Sequence, residues 1–285
     1  MAKEIVVISG KGGTGKTTLV GSFAHLASQK VMVDCDVDAS DLHLLLNPRV
    51  REEHEFYGGS IASIDKEKCS ECGFCESMCR FEGIKDFQVN SLNCEGCHFC
   101  YHLCPEGAIE MKEEMAAKWY LSETRHGLLI HGRMGIGAEN SGKLVAVLRR
   151  KAWNLAQEEG SPYIISDGPP GIGCPVIASI TGADLALIIA EPSLSGLHDL
   201  ERVADTSKHF RVPLLACINK YDLHEGKSQE VEDFCGKKDI RVAARIGFDP
   251  EVSASLVEGV PLTEYSQGRA SREVKSLWQE ILNNL

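Results

Sequence analysis

The stretch EIVVISGKGGTGKTT, residues 4–18, contains the pattern that decides the fold of this chain. Its first six residues are mostly apolar and β-branched, which is typical of a buried strand, and LVGSFAHLA at 19–27 has the composition of a helix. Between them, Gly10 to Thr17 match G-x-x-x-x-G-K-[ST], the loop that wraps the phosphates of a nucleotide. The stretch therefore predicts a nucleotide-binding α/β domain.

The residues of this loop have distinct expected roles. Backbone N–H groups would cradle phosphate oxygens, Lys16 would reach the β- and γ-phosphates, and the Thr17 hydroxyl would face Mg²⁺. A glycine-rich turn without a ligand is the alternative, but strand, loop and helix occur in the order that the motif requires. We predict these nucleotide-binding residues: Gly10, Gly12, Gly13, Thr14, Gly15, Lys16, Thr17 and Thr18.

Eight of the twelve cysteines form two runs with the same internal spacing. C-x2-C-x2-C-x3-C is the ligand pattern of two [4Fe–4S] clusters, in which the fourth cysteine of each run binds the other run's cluster. Three thiolates spaced three residues apart can reach three corners of one cube, whereas the fourth corner needs a ligand from elsewhere. The spacing predicts one cluster on Cys69, Cys72, Cys75 and Cys104, and a second on Cys94, Cys97, Cys100 and Cys79.

Other uses of these cysteines are less favoured. Zinc ribbons use two C-x2-C pairs separated by a longer loop, and disulfides are disfavoured because the N-terminus does not read as a secretory segment. Arg80 stands where a proline commonly follows the fourth cysteine, as Pro105 does in the second run. His98 and His102 are either surface residues or tune a cluster through hydrogen bonds to sulfur.

Size and charge limit the remaining possibilities. A chain of 285 residues with 43% hydrophobic residues can build one α/β domain and a small insertion. The formal charge of −11 argues against general binding to nucleic acid or to an anionic membrane. No run approaches the ~18 apolar residues of a membrane span. We expect a cytoplasmic protein with no nucleic-acid partner and no stable membrane insertion.

Strand and helix signals alternate along the chain, which predicts a mostly parallel, doubly wound P-loop sheet with helices on both faces. Further strands are expected at 127–131, 183–191 and 212–219, and helices at 141–160, 197–210 and 270–285. The cysteine runs interrupt this pattern as a small α+β ferredoxin-like insert. We predict the first part of the P-loop domain at 1–58, the insert at 59–111 and the second part at 112–285.

The loop carries a second lysine, Lys11, directly after its first glycine. KGGTGKT at 11–17 is a deviant Walker A sequence, and on it the chain resembles the P-loop ATPases of the MinD, Mrp and nitrogenase iron-protein class. In that class the extra lysine crosses a dimer interface to the partner's nucleotide. The resemblance therefore implies a homodimer in which Lys11 is catalytic beside Lys16; a solvated surface lysine is the alternative.

The segment VMVDCDVDASDLHLLL, 31–46, resembles the second strand and switch I of that class. The resemblance implies that Asp34 lies near the Mg²⁺ shell and that Asp36 is catalytic, near the attacking water. Asp38 and Asp41 are alternative carboxylates, or helix-capping and surface residues.

YIISDGPPGIG, 163–173, resembles switch II, which implies that Asp167 holds Mg²⁺ through water. LLACINKYD, 214–222, ends a strand where the nucleotide base is expected, so Asn219 and Asp222 are the predicted base contacts. Read literally, Asn-Lys-x-Asp is the guanine-reading pattern of GTPases. The resemblance favours ATP and ADP with Mg²⁺, and the sequence leaves GTP open.

Cys174 stands seven residues after Asp167, where the switch II loop of the nitrogenase iron protein carries a bridging cluster ligand. A role in loop structure or packing is the alternative, since no second such cysteine lies between Cys104 and Cys174. Cys35 and Cys217 fit small buried positions.

Three functions follow from the resemblance. The first is ATP-dependent electron transfer from the clusters to a partner protein, and the second is assembly or delivery of a metallocluster to an acceptor protein. The third is a positioning or scaffold ATPase of the MinD kind, with structural clusters.

Overall fold

The structure is a computed structural model that describes residues 2–135 and 140–285. The described chain divides into two compact units. The first comprises the residues up to His54, Trp119–Arg133 and Ser141–Leu285, and the second comprises Glu55–Lys118 with the described residues of Met134–Asn140. The predicted insert, 59–111, lies within the second unit, which is longer because it includes parts of the strands on either side.

Strands and helices alternate through the first unit, and short elements carry the cysteine runs of the second. The strands are β1 (Lys3–Ser9), β2 (Lys30–Asp34), β3 (Arg49–Ile64), β4 (Ile84–Lys85), β5 (Gln88–Val89), β6 (Ile109–Thr124), β7 (Gly127–Met134), β8 (Tyr163–Pro170), β9 (Leu185–Ala190), β10 (Leu214–Asn219) and β11 (Arg241–Ile246). The helices are α1 (Lys16–Leu26), α2 (Leu42–Leu46), α3 (Phe74–Ser77), α4 (Phe99–Leu103), α5 (Ser141–Glu158), α6 (Cys174–Ile180), α7 (Leu194–His209), α8 (Glu225–Lys237), α9 (Pro250–Val257), α10 (Leu262–Tyr265) and α11 (Arg269–Leu282).

The large sheet has the strand order β11-β10-β9-β1-β8-β2-β7-β6-β3, and the first unit contains the 119–124 end of β6 and the 49–54 end of β3. Every pairing from β11 across to β7 is parallel, which confirms the predicted mostly parallel sheet. The chain leaves β1 toward β2 on one side and later reaches β9 on the other. The carboxyl end of β1 is therefore the point where strand order reverses, the usual ligand position in such sheets.

Alternate residues of β1 pack into different halves of the core, as expected for a strand that is buried on both faces. Ile5 and Val7 join a cluster with α1 and α11, in which the rings of Phe23 and Trp278 have centroids 5.2 Å apart. The intervening Val6 and Ile8 join a second cluster with residues of α6, α7 and α8. Because both faces are covered, the loop after β1 starts from a rigid strand.

The C-terminal segment forms α11, as its apolar spacing predicts. Its buried side chains, which include Val274 and Leu277, belong to the same cluster as Ile5. Among the described helices, none is both long and apolar enough to cross a bilayer.

A buried histidine makes the stability of the first unit depend on pH. His131 in β7 is 9% exposed, and its Nε2 lies 3.0 Å from the hydroxyl oxygen of Ser122. Burial, with a further contribution from His43, lowers the pKa of His131 from 6.5 to about 4. The unfolded chain therefore takes up this proton at a higher pH than the folded chain does, so the free energy of unfolding falls as the pH drops from 6.5 to 4.

We expect this titration to remove roughly 3 kcal/mol of stability by pH 4. Urea unfolding at pH 7 and at pH 5 should show a smaller loss for His131→Gln than for the natural protein, because the amide does not titrate. His209→Gln, at an exposed position, is the matched control. Equal losses in His131→Gln and the natural protein would contradict the assignment.

Candidate functional site

The phosphate-binding loop lies between β1 and α1, and close contacts require two of its glycines. A Cβ atom on Gly15 would lie 2.5 Å from Nδ2 of Asn219, and the backbone there has a φ of 94°, which favours glycine. A Cβ atom on Gly10 would lie 1.9 Å from Cβ of Asp199. The loop is thus packed against β10 and α7, and it leads into the N-terminus of α1, where an anion is stabilised.

Lys16 is the first residue of α1 and is only 6% exposed. Its ammonium nitrogen lies 3.9 Å from a carboxylate oxygen of Asp36. The hydroxyl of Thr14, in the same loop, is buried and has no hydrogen-bond partner among the described residues. The loop therefore presents a lysine and an unpaired hydroxyl, both of which can bind a phosphate.

Asp34 occupies the position on β2 that pairs with Asp167 on β8. Its carboxylate accepts a hydrogen bond from the Ser40 hydroxyl at 2.6 Å and from the backbone N–H groups of Asp36 and Leu42 at 3.1 and 3.3 Å. Asp34 thereby holds the loop after β2 in place. The sequence pattern did not predict this role, and the expectation that Asp34 lies near the Mg²⁺ shell stays a prediction.

Asp167 has a different environment. It is 1% exposed, and neither of its carboxylate oxygens has a hydrogen-bond partner in the described part of the chain. Burial raises the pKa of Asp167 to about 6, against the opposing effects of the Lys16 charge and of the Thr17 hydroxyl, which lies near the carboxylate without making a regular hydrogen bond to it. Burial and the Asp167 charge also raise the pKa of Asp34 well above its usual range. A divalent cation would offset the cost of these two buried carboxylates, so Asp167 and Thr17 fit a Mg²⁺ ion.

Asp36 faces Lys16 and is the carboxylate predicted to orient the attacking water. Burial raises the pKa of Asp36, Lys16 lowers it, and the negative charges of Asp38 and Asp41 raise it again. Asp38 and Asp41 are exposed, and Asp41 occupies the N-cap position of α2 without a side-chain capping bond. Their effect on the site is a negative potential beside Asp36.

Lys11 is held within its own chain. Its ammonium nitrogen lies 3.1 Å from the carboxylate of Glu191, 3.3 Å from the Ser193 hydroxyl and 3.4 Å from the Ser195 hydroxyl. Glu191 also pairs with Lys220 at 2.6 Å. The expectation that Lys11 acts on a partner's nucleotide stays a prediction. No sequence pattern marks Glu191, because a lone glutamate after a strand resembles an ordinary surface residue.

A cavity of about 230 Å³ beside the loop is the candidate site for the base and ribose, and apolar residues such as Ile246 and Leu256 line part of it. Asn219 lines this cavity, and its Nδ2 donates to the backbone carbonyl of Thr14 at 2.7 Å, so its role as a base contact stays a prediction. Among the described residues, Asp222 is not part of the lining. Its carboxylate instead accepts from the backbone N–H of Phe248 at 2.7 Å and lies 3.4 Å from Nη1 of Arg269.

Because the carboxylate of Asp222 is engaged by Phe248 and Arg269, its predicted role as a base contact is open to a direct test. We expect Asp222→Asn to leave the ratio of kcat/KM for ATP and GTP unchanged, while the melting temperature falls because the contact to Arg269 weakens. Arg269→Gln breaks the same ion pair from its other side and is the matched variant. A changed ATP-to-GTP ratio in Asp222→Asn alone would show that this carboxylate reads the base.

In the second unit, the predicted cysteine sets line two cavities. The first cavity, of about 20 Å³, is lined by Cys69, Cys72, Cys75 and Cys104. The other, of about 370 Å³, is lined by Cys79, Cys94, Cys97 and Cys100. Cys75, which belongs to the first set, also lines it. The fourth cysteine of each run therefore lies with the first three of the other run, which is the arrangement that the crossover requires. The second set surrounds the more open cavity.

The two runs repeat each other in backbone conformation. Residues 25 positions apart are counterparts in the two runs. Glu71 and its counterpart Gly96 have positive φ values of 53° and 56°, and Gly73 and its counterpart His98 have positive φ values of 72° and 63°. The segments around the two runs also exchange backbone hydrogen bonds. The N–H of Asp65 donates to the carbonyl of Ala108 at 2.7 Å, and the N–H of Asn90 donates to the carbonyl of Gly83 at 2.9 Å. This approximate two-fold symmetry suits two loops that each lend one ligand to the other.

The two crossover cysteines have matching partners. The backbone N–H of Gly83 donates to Sγ of Cys79, and that of Ala108 donates to Sγ of Cys104, both at 3.3 Å. Such bonds stabilise a thiolate and tune the potential of a bound cluster. His98 is engaged elsewhere, since its Nε2 lies 3.0 Å from the Ser60 hydroxyl.

Two thiols of these runs would be thiolates at neutral pH only with a metal bound. Burial raises the pKa of the Cys75 and Cys100 thiols, so a metal centre would be needed to hold them as thiolates at neutral pH. Among the described residues, no group of three or more His, Cys, Asp or Glu is placed to hold a metal ion. Of the cysteines outside the runs, Cys35 and Cys217 are buried as expected, Cys235 is also buried, and Cys174 is exposed.

The site defines a class of protein. A glycine-rich loop after the central strand, a buried lysine at the start of α1 and an unpaired carboxylate on the neighbouring strand β8 are the parts of a P-loop nucleoside triphosphatase. Residues 5–262 match the family described as the CobQ/CobB/MinD/ParA nucleotide binding domain. The chain belongs to this family, and it is a P-loop ATPase.

Known proteins are similar to this chain over nearly its whole length. The uncharacterised protein MJ0578 of Methanocaldococcus jannaschii is 34% identical over 98% of this chain and 96% of its own. The crystal structure of the cell division ATPase MinD of Pyrococcus furiosus has a TM-score of 0.63 at 18% identity, and the match covers 100% of this chain and 100% of that one. MinD of Pyrococcus horikoshii, complexed with Mg-ADP, has a TM-score of 0.60 at 19% identity, covering 99% of this chain and 96% of that one. At these identities, the structural likeness to MinD concerns the fold alone.

Proposed function

We propose that this chain is an ATP-driven switch of the MinD kind, which forms a homodimer around Mg-ATP and binds a partner protein in one nucleotide state. One observation carries the proposal: the loop holds two lysines in different places. Lys16 is buried in the phosphate site, whereas the Lys11 side chain is 36% exposed. A second subunit could reach a partly exposed lysine at the mouth of the site once Lys11 leaves its intrachain partners, and the likeness to MinD ATPases favours this function over electron transfer.

Phosphoryl transfer to water needs positioning and charge stabilisation rather than covalent chemistry. Lys16 would neutralise charge on the phosphates, and Thr17 and Asp167 would hold Mg²⁺. Asp36 would orient the attacking water beside Lys16. The loops that follow β2 and β8 would be ordered by the γ-phosphate and released on hydrolysis, which gives the switch its two states.

Lys11→Ala is expected to lower ATP turnover by about 100-fold or more while Mg-ATP affinity changes little. The reason is that Lys11 would act on charge that develops at the partner's nucleotide, not on binding within its own subunit. Phosphate release and the binding of a fluorescent ATP analogue measure the two effects separately. Equal losses in both assays would contradict a role across the dimer.

We further propose that the second unit is a ferredoxin-like domain with two [4Fe–4S] clusters on the ligand sets given above. The matched loop conformations, the exchanged backbone bonds and the N–H bonds to Cys79 and Cys104 support it. A single zinc ion would draw its four sulfurs to within about 4 Å of one another, because each Zn–S bond is about 2.3 Å. The thiols around the cavity of about 370 Å³ suit the corners of a larger cube, and the clusters would supply one-electron chemistry when bound.

Electron transfer to a partner protein is the second candidate function, and one feature favours it. Cys75 lines both cavities, so the two clusters would lie close together, as in an electron relay. Metallocluster assembly for an acceptor protein uses the same residues and is an outcome of the tests below.

The switch is tested by light scattering of the anaerobically purified protein with Mg-ADP, with Mg-ATP and with a non-hydrolysable ATP analogue. A mass that doubles only with the triphosphates supports the proposal. A monomer under all three conditions contradicts it.

The role of the clusters is tested by following the iron–sulfur absorbance of the dithionite-reduced protein with methyl viologen as acceptor. Reoxidation that requires ATP hydrolysis would support electron transfer. Release of iron to a chelator that requires ATP, without net oxidation, would support assembly. Absorbance that does not respond to nucleotide would leave the clusters structural in a positioning ATPase.

A further inference from the structure

Glu191 connects two lysines at the mouth of the phosphate-binding loop. One carboxylate oxygen lies 3.1 Å from Nζ of Lys11, and the other lies 2.6 Å from Nζ of Lys220. Its side chain is 17% exposed, so the two ion pairs are partly shielded from water. The pKa of Glu191 is lowered, although burial opposes this, because Lys220 and Lys11 both stabilise its charge.

The position of Glu191 is fixed by its backbone. It follows β9, which pairs in parallel with β1, and its carbonyl accepts the backbone N–H of Ser193 at 2.8 Å. A Cβ atom on Gly196 would lie 2.4 Å from that same carbonyl oxygen, so the start of α7 packs closely against it. The carboxylate is therefore held beside the loop by rigid elements.

The ammonium group of Lys11 is saturated in this arrangement. A lysine ammonium has three donors, and Lys11 has three acceptors within reach: Glu191 at 3.1 Å, the Ser193 hydroxyl at 3.3 Å and the Ser195 hydroxyl at 3.4 Å. It cannot bind a phosphate elsewhere without giving up these partners. Glu191 would not be left unpaired by that exchange, because Lys220 would remain bound to it and to the carbonyl of Gly13 at 3.1 Å.

We propose that Glu191 is a positioning residue that sequesters Lys11 within its own subunit until the triphosphate of a second subunit replaces it. The proposal rests on the homodimer proposed above. It also gives Lys220, the lysine of the Asn-Lys-x-Asp sequence, a function: it keeps the charge of Glu191 neutralised after Lys11 has left. Glu191 thus sets the threshold at which ATP assembles the dimer.

The direct test is the rate at which lysines of the nucleotide-free protein react with dilute acetic anhydride, measured by peptide mass spectrometry. Glu191→Gln should raise the rate at Lys11 about fivefold and leave Lys3 unchanged. The matched control is Asp184→Asn, which removes the carboxylate 2.6 Å from Lys3 and should raise the rate at Lys3 only. Glu191→Asp keeps the charge and should restore slow labelling of Lys11.

The second readout is the protein concentration at which Mg-ATP gives half-maximal dimer. Glu191→Gln should lower it about fivefold, and it should have no further effect in a Lys11→Ala background. Unchanged labelling of Lys11 in Glu191→Gln overturns the inference. An unchanged dimer threshold overturns it too, provided that the natural protein dimerises. If labelling rises as expected but neither protein dimerises, the sequestering contact is upheld and the proposed homodimer fails.

Discussion

Replacing Lys16 with alanine is expected to lower ATP turnover about 100- to 1,000-fold, the usual effect of removing one group that stabilises transition-state charge. Lys16 is the buried cation of the site, and its loss would also leave Asp36 without the ammonium that lies 3.9 Å away. Affinity for Mg-ATP should fall as well, in contrast to Lys11→Ala, because Lys16 would contact the nucleotide of its own subunit.

Lys3→Ala is the matched control for this variant. It removes a lysine from the other end of β1, where it pairs with Asp184, and should leave turnover unchanged. Phosphate release under saturating Mg-ATP measures the effect, and circular dichroism checks that both variants fold. Turnover of Lys16→Ala within a few-fold of the natural protein would show that this loop is not the phosphate site.

Cys79→Ser is expected to reduce the iron content of anaerobically purified protein from about eight to about four atoms per chain. The crossover assigns Cys79 to the cluster of Cys94, Cys97 and Cys100, with which it lines one cavity. The other cluster should survive, because Cys79 does not line the cavity of that cluster's ligands. Iron and sulfide analysis, with the EPR spectrum of the reduced protein, measures both.

Double variants decide between crossover and independent runs. If Cys79 serves the second run, adding Cys97→Ser to Cys79→Ser removes no further iron, whereas adding Cys72→Ser removes the rest. The opposite pattern would show that each run binds its own cluster. Cys174→Ser, at an exposed cysteine outside both runs, is the matched control and should retain all the iron. Protein that binds zinc in place of iron would contradict the cluster proposal.

Much of the fold could be predicted because its signals are local. The strand at 4–9, the loop at 10–17 and the helix after it follow from composition and spacing, and the structure has β1 at Lys3–Ser9 and α1 at Lys16–Leu26. The strand predicted at 183–191 and the helix predicted at 197–210 correspond to β9 and α7 in the same way. The apolar residues of each segment are spaced so that either a helix or a strand, but not both, can bury them together.

The long strands β3 and β6 were not predicted. Both have 16 residues, and much of their length is charged and exposed, so apolar periodicity does not reveal them. Pairing with a neighbouring strand, not apolar periodicity, makes the exposed parts of these segments extended. For the same reason the predicted insert boundaries, at 59 and 111, fall inside the second unit.

The candidate site divides in a similar way. The residues predicted to hold a phosphate or a cluster follow each other at fixed spacing, so Lys16 and the eight cysteines could be named as candidates from the sequence. The contacts of Asp34 and Asp222 could not, because each depends on a loop that is distant in the chain or on a backbone N–H. Asp222 matches a base-reading motif, yet it is bound to Phe248 and Arg269.

By itself, the sequence determined the nucleotide loop and the parallel α/β class and predicted the sets of cysteines, because each of these is encoded by spacing within one continuous segment. Only the tertiary structure decided which carboxylate is left unpaired and which two lysines are held by Glu191. Those properties arise where separate strand ends meet at one edge of the sheet: Glu191 follows β9 and meets Lys11 from the loop after β1, 180 positions earlier in the chain. Distances across a sheet are set by strand order, and strand order is not written in any single segment.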